Sequence, residues 1–187
     1  PARRPTARPT ASWSPPAGVM PLAGASDYGC CMTSLWALVG VPNSGKTALF
    51  NALTGARQRL GNYAGVTVEK KIGNLPIELG ENRQLIDLPG IYSLDQSAAD
   101  SAVTLAVLRG EQSDCPAPDA LLVVVDATEP LLGLRLALEL RQLGKPMLLV
   151  LNMWDIAQRR GLQMDIAAMA EQMGMPVVPA VAVRRAH

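Results

Sequence analysis

The sequence predicts an α/β protein with a mostly parallel sheet and helices on both faces. Two observations predict it. From Leu35 onward, short apolar runs alternate with amphipathic helical stretches, as in a sheet whose parallel strands are joined by crossover helices. The first of these runs feeds a glycine-rich loop that is followed at once by a helical stretch, the strand, loop and helix order of an α/β unit.

In chain order the candidate strands are Leu35 to Val39, Val68 to Leu75, Gln84 to Ile86, Ala120 to Val125, Met147 to Leu151 and Pro176 to Val178. Between the fourth and fifth, Leu132, Leu136, Leu140 and Leu143 form one helical stripe while Arg135, Glu139 and Gln142 take another face. Pro130 suits the first turn of that helix, and Gly144 with Pro146 ends it. Gln163 to Met173, closed by Gly174, reads as a further helix with methionines and alanines as its apolar face.

With 187 residues, 49% of them hydrophobic, the chain can bury a real core but leaves no room for a second full domain. Seventeen basic and sixteen acidic residues leave a formal charge of +1, which singles out neither nucleic acid nor anionic lipid as a partner. Cys30 and Cys31 are adjacent and Cys115 sits in a Pro-rich loop, without a CxxC pair or a nearby His, so all three read as free thiols in a reducing compartment. The apolar runs near Leu121 to Val125 and Met147 to Leu151 fall far short of the roughly 20 residues that span a bilayer. Residues 1–32 contain six prolines, three arginines and one acid with no sustained apolar period, and are expected to be a disordered or non-native extension before a domain at 33–187. Their Arg, Ser and Ala bias resembles a transit peptide but lacks an amphipathic stripe, and Met32 is the expected natural start because the first strand follows at once.

Gly40-Val41-Pro42-Asn43-Ser44-Gly45-Lys46-Thr47 fits the phosphate-loop pattern and stands after a strand and before a helix. There glycines let the backbone wrap phosphates, amides and the helix N-terminus face the negative charge, and Lys46 adds a cation near the β- and γ-phosphates. Thr47 then offers a hydroxyl to Mg²⁺. The expected nucleotide contacts here are Gly40, Pro42, Asn43, Ser44, Gly45, Lys46, Thr47 and Ala48. Asp87-Leu88-Pro89-Gly90 follows the third strand, where the acid can hold the Mg²⁺ shell through water and the Gly90 amide can meet a γ-phosphate. Asn152-Met153-Trp154-Asp155 ends the fifth strand, at the edge where such sheets bind nucleotides. An Asp155 carboxylate accepts two N–H bonds from guanine, whereas adenine lacks the matching donors and would leave it unpaired; Asn152 would brace the surrounding loops. Each of the last two motifs is weak alone, and the correct order of all three gives them weight.

These residues resemble the translation-factor-type GTPases, and more narrowly the G domains of the ferrous iron transport protein B family. The resemblance rests on GVPNSGKTALFNALTG (Gly40 to Gly55), GNYAGVTVEKKIG (Gly61 to Gly73), DLPGIYSL (Asp87 to Leu94), VVDAT (Val124 to Thr128), LNMWD (Leu151 to Asp155) and PVVPA (Pro176 to Ala180), and covers about 34–182. It implies a P-loop NTPase of the Ras-like G-domain type, here without the last helix. It also implies a GTP-binding and GTP-hydrolysing regulatory domain of a bacterial ferrous iron transporter, at the cytoplasmic face of the inner membrane. The implied partners are guanine nucleotide (GTP or GDP) and the transporter's own helical and membrane domains, with no nucleic acid. Thr67 is implied to be the switch threonine that ligates Mg²⁺, on a loop from about Arg57 to Val66. Asn43 is implied to help hold a K⁺ that speeds hydrolysis, with backbone oxygens near Gly61 to Tyr63, so that Lys46, Thr67, Gly90 and Asn43 form the catalytic set. Ala180, Val181 and Ala182 are implied to lie near the base.

The sequence departs from the family pattern at three places. Ile91 follows Gly90 where Ras-like proteins have the glutamine that orients water, which predicts slow intrinsic hydrolysis. Tyr63 and Ala64 replace the family's Trp and Pro, and Tyr63 reads equally as an ordinary surface aromatic. Val181-Ala182 replaces a Ser-Ala pair, leaving backbone amides to serve the base and predicting weak guanine affinity. The alternative class is a soluble RNA- or ribosome-associated GTPase, which shares the PNxGK loop but calls for a basic nucleic-acid module that the chain does not carry. A third is a nucleotide-binding interaction domain with no useful hydrolysis.

Overall fold

The computed structural model describes residues 33–55, 58–76, 82–95 and 99–182. The expectation for residues 1–32, and the thiols of Cys30 and Cys31 with it, lies outside the described residues. In chain order the elements are β1 (Ser34–Gly40), α1 (Lys46–Thr54), β2 (Gln58–Asn62), β3 (Glu69–Asn74), β4 (Arg83–Asp87), α2 (Ala99–Arg109), β5 (Ala120–Asp126), α3 (Pro130–Arg141), β6 (Met147–Asn152), α4 (Trp154–Arg159), α5 (Ile166–Met173) and β7 (Val177–Pro179). The strands form one sheet in the order β2-β3-β4-β1-β5-β6-β7. β4, β1, β5, β6 and β7 run parallel, while β3 is antiparallel to both β2 and β4.

Alternation along the strands divides the core. Leu121, Val123 and Val125 of β5 join one buried cluster, with Val107 of α2, Leu136 and Leu140 of α3 and Met173 of α5. Leu122 and Val124 join the other, with Leu49 and Phe50 of α1. Side chains two apart leave a strand on the same face, so the near-continuous apolar run of β5 is what a strand covered on both faces requires. Gly133 lets α3 lie close on the sheet, since a β-carbon there would stand 2.8 Å from a methyl of Val125. Because the central strands are parallel, their C-terminal ends at Gly40, Asp87, Asp126 and Asn152 gather at one edge of the sheet, where open α/β sheets bind ligands.

Four local expectations change. Gln58–Asn62, which the family resemblance placed in a loop from about Arg57 to Val66, forms edge strand β2. Its residues are mostly exposed and show no apolar alternation; pairing with β3 creates the strand, a long-range effect that local propensity does not contain. Helices α2 and α4 were not anticipated. In α2 the buried Val103, Val107 and Leu108 carry the helical spacing inside a stretch that also resembles an apolar strand, and α4 is a single short helix of six residues. In α3 the buried stripe is Gly133, Leu136, Ala137 and Leu140, whereas Leu132 is 49% exposed; close packing of Gly133 on Val125 rotates the helix away from an all-leucine seam.

Candidate nucleotide site

β1 delivers Gly40 into the sheet edge with no space for a side chain: a β-carbon there would lie 2.4 Å from the carbonyl oxygen of Val124. The loop then closes on Val41, whose carbonyl accepts from the Ser44 amide at 3.3 Å, the Ser44 hydroxyl at 2.8 Å and Lys46 Nζ at 3.4 Å. Asn43 and Gly45 hold the left-handed backbone conformation, at φ 63° and 83°, which turns the chain so that α1 can start at Lys46. The Asn43 side chain is exposed at this loop, and Pro42 and Ala48 are half-buried beside it.

The segment after β4 runs against this loop. Leu88 donates its amide to Leu38 O at 3.1 Å and Ile91 to Gly40 O at 3.2 Å. Gly90 comes so close that a β-carbon on it would stand 3.0 Å from both Lys46 Nζ and the Pro42 nitrogen. The Thr47 hydroxyl donates to Asp87 Oδ2 at 3.2 Å, and the other oxygen of Asp87 is buried with no partner among the described residues. Burial lifts the Asp87 carboxyl above the ordinary range, opposed by the Lys46 and Lys71 charges and the Thr47 bond. Burial likewise pulls the Lys46 ammonium below its ordinary value, opposed by Asp87. Two opposite charges that are both largely buried raise the cost of leaving either unmatched.

Between them lies a cleft of about 160 Å³ lined by Lys46, Thr47, Asp87, Leu88, Pro89, Gly90 and two β3 residues, Glu69 and Lys71. Sequence reasoning missed the last two. Their signal is the alternation Glu69, Lys71 along β3, but it acquires meaning only once Lys71 is known to pair with Asp87 across the ladder.

At the other side of the loop, Asn152 ends β6 nearly fully buried. Its Nδ2 donates to Ser44 O at 3.0 Å, and its Oδ1 accepts from the Ala182 amide at 3.1 Å. One side chain thus joins the phosphate loop to residues 180–182. Ala180 O also accepts from the Trp154 amide at 3.2 Å, and Val181 and Ala182 are half-buried. Met153, at φ 58°, turns the chain into α4, whose first turn carries Asp155. The Asp155 carboxylate is paired with Arg159 one turn later, and Arg159 Nε also bonds Asp155 O at 3.1 Å.

Thr67 is exposed and does not line the cleft. Just before it, Tyr63 is buried to 1% exposure, which corrects the reading of Tyr63 as a surface aromatic. Its hydroxyl has no partner among the described residues, and burial, reinforced by Cys115, Asp87 and Asp114, pushes the phenol well above its ordinary value. Lys70 Nζ sits 5.8 Å from the ring centroid and bonds Asp114 Oδ2 at 2.7 Å. Together these contacts tie residues 63–70 to the loop before β5.

A phosphate loop, an acid at the end of β4 facing the first turn of α1, and an Asn/Asp motif after β6, all on one edge of a mostly parallel sheet, define a P-loop G domain. Residues 34–187 match the family described as ferrous iron transport protein B, and the chain belongs to that family. It is 45% identical over 152 residues to the Fe(2+) transporter FeoB of Salmonella typhimurium, covering 79% of this chain and 19% of that protein. The chain thus spans about a fifth of the length of the curated relatives it matches. Among solved structures it resembles the cytosolic domain of the T. maritima FeoB iron transporter in its GMPPNP form, with 38% identity, a TM-score of 0.74, and coverage of 80% of this chain and 57% of that one. It also resembles the S. thermophilus NFeoB N11A mutant bound to mGDP, at 36% identity and TM-score 0.75, covering 83% and 57%.

Proposed function

We propose that this chain is a Mg²⁺-dependent GTP-binding and GTP-hydrolysing domain that regulates a ferrous iron transporter from the cytoplasmic face of the bacterial inner membrane. The observation that carries the reading is the placement of Lys46, Thr47 and Asp87 around one cleft, with a buried Asp87 oxygen that has no partner among the described residues. A hydroxyl and a carboxylate are hard oxygen donors of the kind Mg²⁺ takes beside phosphates, so Thr47 would hold the ion directly and Asp87 through water. Bound there, Mg²⁺ supplies charge neutralisation at the phosphate oxygens. Loop amides and the N-terminus of α1 would receive the phosphates, Lys46 would place a point charge beside them, and Asp155 would select guanine. The nucleotides named for the related structures, GMPPNP and mGDP, support the guanine-nucleotide part of this reading.

Thr67 would have to travel inward to complete the Mg²⁺ shell, and the Gly90 amide to meet a γ-phosphate, so ordering of these two segments is the proposed switch. Ile91 has no group that can orient water, which supports slow intrinsic turnover. The K⁺ reading keeps Asn43, exposed at the loop, whereas Gly61 and Asn62 are tied into the β2–β3 ladder. Among the described residues no helix is long and apolar enough to cross a membrane, so any passage of iron belongs to other parts of the transporter.

Calorimetry with GDP and GTP, with and without Mg²⁺, tests the reading; absence of heat from folded protein in every condition would end it. The Asp155→Asn variant is expected to prefer xanthine over guanine nucleotides, and an unchanged GTP preference would remove Asp155 from the base site. GTP turnover compared in K⁺ and Na⁺ decides the K⁺ assignment and separates a GTPase from a domain that only binds.

A further inference from the structure

Glu69 and Lys71 stand two apart on β3, so their side chains leave the sheet on one face. Lys71 is the cross-strand neighbour of Asp87, and paired residues share a face. All three line the cleft with Lys46 and Thr47. Yet Lys71 Nζ lies 3.3 Å from Glu69 Oε2, while the buried Oδ1 of Asp87 has no partner among the described residues. A flexible ammonium therefore stands across the ladder from a buried carboxylate oxygen that has no partner among the described residues, and is turned toward another carboxylate. Asp87 feels both charges, with Lys71 favouring its ionised form and Glu69 opposing it. The lysine side chain is 27% and the glutamate 55% exposed, so water screens the pair and it can exchange.

We propose that Lys71 is a tethered competitor for the divalent cation at Asp87 and that Glu69 holds it aside, so that the Glu69–Lys71 pair sets how much Mg²⁺ the nucleotide site requires. This rests on the reading of Thr47 and Asp87 as the Mg²⁺ side of that site. An ammonium released from Glu69 meets Asp87 as the nearest carboxylate across the ladder. There it repels an incoming divalent ion and takes up the oxygen that the ion's water shell would use.

The test is the affinity of the full chain for a fluorescent GDP analogue, measured across a free Mg²⁺ titration that begins in EDTA. Glu69→Gln is expected to raise the half-saturating Mg²⁺ roughly fivefold, the scale of one partly exposed ion pair. Lys71→Met is expected to lower it, and the double variant to match Lys71→Met alone, because without the lysine Glu69 has nothing to restrain. Thermal melts without nucleotide check folding, and should Glu69→Gln fail to fold, the Lys71→Met titration decides alone. An unchanged midpoint in Glu69→Gln, or a raised one in Lys71→Met, overturns the proposal; the second outcome would make Lys71 a phosphate ligand. If wild-type affinity does not respond to Mg²⁺ at all, the underlying Mg²⁺ reading fails instead.

Discussion

Gly45 lies flat against the amide of Asn152: a β-carbon on Gly45 would fall 2.2 Å from Asn152 Nδ2, and Gly45 also needs φ 83°. The glycine is required twice over, by its backbone conformation and by the side chain that crosses to hold the loop. Gly45→Ala is expected to cost about 1–3 kcal/mol from left-handed strain alone. Asn152→Ala should cost about 1–3 kcal/mol, because the Ser44 carbonyl and Ala182 amide lose their shared partner. The two residues touch, so the double variant should cost less than the sum by about 0.5 kcal/mol or more. Denaturant unfolding of the four proteins measures this, and strict additivity would mean that the loop moves clear of Asn152.

Lys46 is disfavoured by burial and favoured by Asp87, with burial the larger effect. Lys46→Met relieves its own burial but removes the main charge that offsets the buried Asp87, so ligand-free stability should fall by about 1–3 kcal/mol. Wild-type protein at about 100 times the dissociation constant of Mg²⁺-GDP gains about 2.7 kcal/mol. The variant should gain nothing at the same concentration. A thermal melt with and without nucleotide reads both numbers.

Tyr63 buries a hydroxyl without a partner among the described residues. Tyr63→Phe keeps the ring in its place beside Lys70 and removes an unmatched polar group, which should stabilise the fold by about 1 kcal/mol. A loss of stability in denaturant titration would show that the hydroxyl has a partner, such as a buried water.

Asp114 is held below the ordinary carboxylate range, chiefly by the side-chain bond from Lys70. A depressed folded value means that its stabilisation is present above the unfolded value and disappears as pH falls through the folded one. Asp114→Asn should therefore lower the melting temperature at neutral pH, by about 1–3 °C for a partly exposed pair. The gap from wild type should close only in strong acid, below the usual carboxylate range. A gap that closes near pH 6 would show that some other group, not Asp114, sets it.

Much of the central sheet was legible because its signals are local. The runs at Leu35, Ala120 and Met147 are apolar without interruption, and a strand buried on both faces has no other way to be written. The methionine face of α5 and its closure by Gly174 also follow from residues within a turn of each other. β2 was not legible, since Gln58–Asn62 becomes a strand only by pairing with β3. Leu132 misled because four leucines at helical spacing promise a seam, while the contact that orients α3 is made by a glycine. Tyr63 misled because a polar, Gly-flanked neighbourhood looks exposed, and its burial comes from joining a core cluster with residues far along the chain, such as Ile91 and Cys115.

The sequence by itself determined the phosphate loop, the acid after β4 and the Asn/Asp motif after β6, because each is a short run whose chemistry depends on its own neighbours and on lying at a strand end. The bracing by Asn152 was also expected from its motif, but tertiary structure alone decided that its partners are Ser44 O and the Ala182 amide, that Glu69 and Lys71 share the Asp87 cleft, and that Asp155 is paired with Arg159. These are matters of register and of which face a side chain takes. A shift of one residue in a strand sends every side chain to the opposite face, and only the assembled sheet chooses between the two.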